Sequence, residues 1–110
     1  MPTYVLMTKL SASSLHDPKG RRKAGQEWKK KVSEQCPGVK WVAHYALLGP
    51  YDFIDIYEAP DQDTAFRVSL LSRELGALKA ESWPAIAYEK YLPIVEAAEK
   101  ATSPSRNLDH

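Results

Sequence analysis

KWVAHYALLGPYDFIDIYEAPD, residues 40–61, is the stretch that decides the fold. Two apolar-rich runs, well supplied with β-branched and aromatic residues, flank Gly49-Pro50-Tyr51-Asp52. Proline presets a φ of about −65° for a type I or II turn, and the glycine before it can take backbone conformations closed to other residues. The stretch therefore reads as an antiparallel hairpin with a four-residue loop. In that register Leu48 pairs with Phe53, Ala46 with Asp55 and His44 with Tyr57. One face then carries Val42, His44, Ala46, Leu48, Phe53, Asp55 and Tyr57; the other carries Trp41, Ala43, Tyr45, Leu47, Ile54, Ile56 and Glu58. A one-residue slip on one strand would scramble the two sets. The second set is nearly all apolar and is expected beneath helices. The first is too apolar for water and too polar for an ordinary core, so a second copy of the chain is the covering expected for it.

Upstream, the alternation from Thr3 to Leu10 predicts a first strand, with Tyr4, Leu6 and Thr8 on one face. Asp17-Pro18 opens a helix with a capping carboxylate followed by proline, and Pro37-Gly38 stops it. Its apolar stripe is narrow: Ala24, Trp28, Val32 and Cys36, while Gly20 and Gly25 weaken its first turns. Downstream, Asp61 caps a second helix whose stripe is Thr64, Val68, Leu71, Leu75 and Leu78, with Gly76 as a left-handed stop. Residues 78–88 read as a fourth strand. Pro84 within it lacks a ladder donor, so that strand is expected at a sheet edge or with a bulge at the proline. A short helix is expected over residues 93–101, and residues 102–110 read as a flexible tail.

Strand, helix, strand, strand, helix, strand with right-handed crossovers predicts an α+β, ferredoxin-like βαββαβ fold. Its four-stranded antiparallel sheet has order 4-1-3-2, with both helices on one face, and Pro84 falls at an edge, as expected. Residues 1–101 make a single domain. With 110 residues, there is room for one core and no more. A hydrophobic fraction of 44% and a charged fraction of 26% exclude disorder for the bulk of the chain. A formal net charge of +1 makes no case for nucleic acid or a membrane surface, and no apolar run is long enough to span a bilayer. One cysteine, Cys36, excludes an internal disulfide framework, and the first residues lack the basic start and cleavage site of a signal peptide, so a cytoplasmic location is expected.

The run LGPYDFIDIYEAPD resembles the signature of the GYD-domain family, small bacterial proteins named for a Gly-x-Tyr-Asp turn. Here the turn is Gly49, Tyr51 and Asp52, followed by a strand and the helix start Glu58-Ala59-Pro60-Asp61. The resemblance covers residues 4–88. It implies a dimeric α+β barrel, two ferredoxin-like sheets packed face to face, and supplies no set of catalytic residues. Asp55 stands in the third strand where an apolar residue is usual in that family.

His44, Asp55 and Tyr57 share a face in the predicted register and are the candidate catalytic residues. An imidazole is suited to removing a proton near neutral pH, Asp55 could orient it, and Tyr57 could hold an oxygen that becomes anionic. Val42, Phe53 and Tyr4 are the candidate walls for a small aromatic or polyketide-like molecule in the sheet-lined cavity between two copies. The plainer reading is a cross-strand pair in which His44 and Tyr57 satisfy each other's polar tips. A third possibility from another class is a non-catalytic ligand-sensing or oligomer-assembly module. His44 and His16 lack metal-ligand spacing, and neither a cofactor nor a metal is assigned. The basic first helix reads as a solvated face. The RNA-binding version of this sheet order is set aside because Asp55 lies between Phe53 and Tyr57, where a carboxylate would repel phosphate.

Overall fold

The computed structural model describes residues 1–12 and 18–108. The elements in chain order are β1 (Thr3–Leu10), α1 (Pro18–Gln35), β2 (Lys40–Ala46), β3 (Phe53–Glu58), α2 (Gln62–Glu74), β4 (Ala77–Ala85) and α3 (Tyr88–Leu108). All three strand pairings are antiparallel, and the sheet runs β2-β3-β1-β4. That is the expected α+β ferredoxin-like order, with the Pro84 strand at an edge. Asp17 and His16 lie outside the described residues, so the expected cap and the second histidine do as well.

The α2 start follows its sequence signal. Asp61 Oδ1 accepts from the Thr64 backbone N–H at 2.8 Å and from its hydroxyl at 2.6 Å. These bonds hold the Asp61 carboxyl below its ordinary range. Gly76 ends the helix in the left-handed region at φ 109°. Gly49 does not adopt a positive φ, so its expected role in the hairpin turn is withdrawn.

The hairpin register is corrected by two residues. Ala46 faces Phe53 and His44 faces Asp55, with Leu47 N–H donating to Asp52 C=O at 2.8 Å to close a six-residue loop over residues 47–52. Between Trp41 and Ala43 the register shifts, leaving Val42 unpaired and bringing Trp41 opposite Tyr57. Parity is otherwise kept, so Phe53, Asp55 and Tyr57 still share a face with His44.

Which face the helices cover is the larger correction. The core consists of Tyr4, Leu6, Tyr57, Ala59 and Ala80 from the sheet against Val32, Cys36, Ala65 and Val68 from the helical layer. The face carrying Asp55 and Tyr57 is thus the covered one. The uncovered face carries Val5 between Ile56 and Trp83, Met7 between Ile54 and Glu81, and Tyr45 beside Ile54. Polarity misdirected the reading because the polar atoms of the covered face are satisfied internally. Tyr57 Oη bonds Ser82 Oγ at 2.6 Å, Ser82 bonds Ser69 Oγ at 2.7 Å, and the Trp28 indole N–H donates to Ser72 Oγ at 2.7 Å. Tyr4, Tyr57, Trp41 and Trp28 form a row of rings with successive centroids 5.6, 5.3 and 5.1 Å apart.

β4 ends at Ala85 rather than residue 88, and α3 begins at Tyr88, five residues before the expected Pro93. Ala87 C=O accepts from the N–H groups of Lys90 and Tyr91, starting the helix, and Pro93 is tolerated close to that end. The helix continues to Leu108 instead of stopping at residue 101. It packs only marginally on the rest of the chain and projects from it. The radius of gyration is accordingly 18.4 Å, with extents of 63 × 30 × 20 Å, against about 13 Å expected for a compact chain of this length.

Candidate functional site

Four positions of α1 fall on one line at helical spacing: Arg21, Gly25, Trp28 and Val32. Val32 is fully buried in the core and Trp28 partly so. Upstream, the same line offers a cation and a residue with no side chain, so nothing apolar fills the space between α1 and the sheet. A pocket of about 580 Å³ results, bounded by the first half of α1, the bulged end of β2, the start of β3 and the turn at Gly76.

Of the expected site residues, the fold brings His44, Asp55, Val42 and Phe53 to this pocket. His44 Nδ1 and Asp55 Oδ1 lie 2.6 Å apart, and the imidazole stacks on Phe53 with centroids 5.4 Å apart. Asp55 is 4% exposed, whereas the His44 side chain is 59% exposed. Burial pushes the Asp55 carboxyl up, and the adjacent His44 charge and hydrogen bond pull it part of the way back. Tyr57 and Tyr4 go elsewhere. Both are buried in the core, where the Tyr57 hydroxyl is engaged by Ser82 and its phenol is pushed up to about 12, chiefly by burial. The expected His44–Tyr57 pair does not form; Asp55 takes the place of Tyr57 opposite the histidine.

The pocket lies on the sheet face expected to line a cavity between two copies, but α1 of the same chain, not a second copy, forms its other wall. Trp28, Trp41, Arg21, Arg22 and Lys29 line it and were not singled out by sequence reasoning. The large-to-small change from Trp28 to Gly25 along one helical line was the available signal. Cys36 is buried at the end of α1 with its thiol pushed up by burial, so it is an unreactive core residue. Among the described residues no three His, Cys, Asp or Glu side chains converge as a metal site requires. No described helix is long and apolar enough to cross a membrane.

The loop of the Gly-x-Tyr-Asp signature leads directly into the start of β3, beside the pocket residues Thr8, Leu10 and Phe53. Asp52 Oδ2 accepts from Leu10 N–H at 2.7 Å, and the Tyr51 hydroxyl donates to Glu81 at 2.8 Å. The signature thus pins the β2–β3 loop to β1 and β4 next to the pocket, although Tyr51 and Asp52 do not line it themselves.

The chain is similar to several known proteins. The chain is 33% identical over 90 residues to the glutamine synthetase and cystathionine beta-lyase binding protein of Thermus thermophilus, a match covering 78% of this chain and 90% of that one. Two solved structures resemble it at lower identity. The hypothetical protein PHS023 of Pyrococcus horikoshii is 18% identical with a TM-score of 0.49, covering 79% of this chain and 92% of that one. FFRP-DM1 is 19% identical with a TM-score of 0.48, covering 78% of this chain and all of that one. The family model described as GYD domain matches residues 4–95, so that the pinned loop, the sheet and both covering helices all fall within the match, and the chain belongs to the GYD domain family.

Proposed function

We propose that the chain is a non-catalytic binding module that works as a homodimer in the cytoplasm, pairing through the uncovered face of its sheet and receiving a small molecule in the pocket on the other face. The uncovered face is the observation that carries this reading. Half-buried Val5, Ile54 and Ile56 surround a buried Met7 at its centre, flanked by Trp83 at 46% and Tyr45 at 60% exposure. Four strands spaced about 4.8 Å apart and rising about 3.3 Å per residue present a plane of roughly 500 Å². With side-chain relief that approaches the ~800 Å² per partner of a standard interface. Sheet-to-sheet packing of two such faces is the dimeric barrel arrangement.

The name of the Thermus thermophilus relative supports binding over turnover, and it makes an enzyme the class of protein partner proposed for the dimer. A catalytic reading draws on the His44–Asp55 pair, which has the form of a base and its orienter. With Tyr57 engaged in the core, however, the group expected to hold a developing anion is gone, and binding accounts for the pocket with fewer parts.

Sedimentation velocity tests the reading. The native chain is expected to sediment as a dimer at micromolar concentration, and Ile56→Asp as a folded monomer. A native chain that remains monomeric at high concentration removes the proposal.

A further inference from the structure

We infer that the pocket beneath the first half of α1 takes a small aromatic anion, such as an aryl carboxylate. This rests on the small-molecule reading of the pocket and adds the class of ligand. The walls supply the aromatic preference. Trp28 and Trp41 meet at 5.1 Å with planes inclined by 55°, and Phe53 stacks on His44 across the pocket floor. The Trp28 N–H is held by Ser72, so that side chain meets a ligand through its ring rather than through its donor.

The rim supplies the sign of the charge. Arg21, Arg22 and Lys29 all line the pocket, and none makes an ion pair among the described residues. The acidic side chain in the lining is Asp55, buried and bonded to His44 Nδ1. The position of Arg21 separates this arrangement from an ordinary solvated basic face. It continues the line of Trp28 and Val32 that faces the sheet, where a structural helix would carry an apolar residue. Lys23, Lys30 and Lys31 of the same helix do not line the pocket and fit the ordinary reading. The volume of about 580 Å³ is ample for a two-ring ligand.

Isothermal titration calorimetry with 2-naphthoate and 2-naphthamide separates charge from shape, since the two share a ring system. The carboxylate is expected to bind about tenfold more tightly than the amide, and Arg21→Gln to remove most of that difference while leaving the amide unchanged. Gly25→Trp is expected to abolish binding of both. A β-carbon at Gly25 meets nothing within 4 Å, and replacing a mid-helix glycine favours the helix, so this blocking variant should fold. Equal affinities for the two probes, or no effect of Arg21→Gln, overturn the anion class; loss of both in Gly25→Trp would then still uphold the pocket. If neither probe binds, or if binding survives Gly25→Trp, the anion class and the small-molecule reading of this pocket fail together.

Discussion

His44 and Asp55 face each other across the β2–β3 ladder with Nδ1 and Oδ1 2.6 Å apart, one partner in solvent and the other sealed beneath α1. The pair is unequal. The imidazole keeps most of its hydration, whereas the carboxylate has given up its own and depends on the one donor facing it.

Removing the donor should therefore cost more than an exposed ion pair is worth. His44→Ala is expected to destabilise the chain by about 2 kcal/mol near neutral pH, because Asp55 is left ionised and unpartnered. Adding Asp55→Asn should recover most of that loss. The folded carboxyl is raised above its ordinary value of 3.8. The folded state thus holds that proton more tightly than the unfolded chain does, and the deficit of His44→Ala should shrink as pH falls through the raised value. Urea unfolding of the two single variants and the double variant at neutral and acidic pH checks both statements. A purely additive double variant would mean that the pair is not coupled.

Tyr57 predicts weakening at the opposite end of the pH scale. Its phenol is raised from 10 to about 12, mainly by burial in the core. Between those values the unfolded chain releases a proton that the folded chain retains, so stability is intact below pH 10 and falls as pH rises through the window. At about 1.4 kcal/mol per unit the total is roughly 2–3 kcal/mol. Thermal unfolding at pH 9 and pH 11 should show the drop, and Tyr57→Phe should flatten it. An equally steep drop in Tyr57→Phe would assign the effect to another group.

The order of the elements and the edge position of Pro84 were legible because each rests on a local constraint: a cap at Asp61, a stop at Gly76, a missing donor at residue 84. Those constraints act over a few residues and leave their marks in the chain. The choice of covered face was not legible. Both faces of β2 and β3 are apolar, and the polar atoms that made one of them look like an interface are satisfied internally, Tyr57 by Ser82, which is distant in sequence, and Asp55 by His44. The site was half legible for the same reason. His44, Asp55, Val42 and Phe53 share a pocket through strand parity, which survives a two-residue error in register. Tyr57 shares that parity too, but the bulge at Val42 seats Trp41 opposite it and places both rings in the core stack.

Asp52 should carry most of what the Gly-x-Tyr-Asp loop contributes. At the end of β1 the pairing with β4 shifts between Lys9 and Leu10, and the pairing with β3 stops at Thr8. The carboxylate of Asp52 accepts from Leu10 N–H at 2.7 Å, and its own N–H donates to Thr8 C=O at 2.8 Å, extending the sheet by one strand-like contact. Asp52→Ala leaves the part-buried Leu10 donor without an acceptor and is expected to lower stability by about 1–2 kcal/mol. Asp52→Asn keeps an acceptor oxygen and should lose less. Tyr51→Phe gives up the bond to Glu81 alone and should lose least. Urea unfolding ranks the variants, and hydrogen exchange at Leu10 reports the loss directly: its amide should exchange faster in Asp52→Ala. Unchanged protection there, with native stability, would mean that the turn is held by its backbone and that the carboxylate is present for another reason.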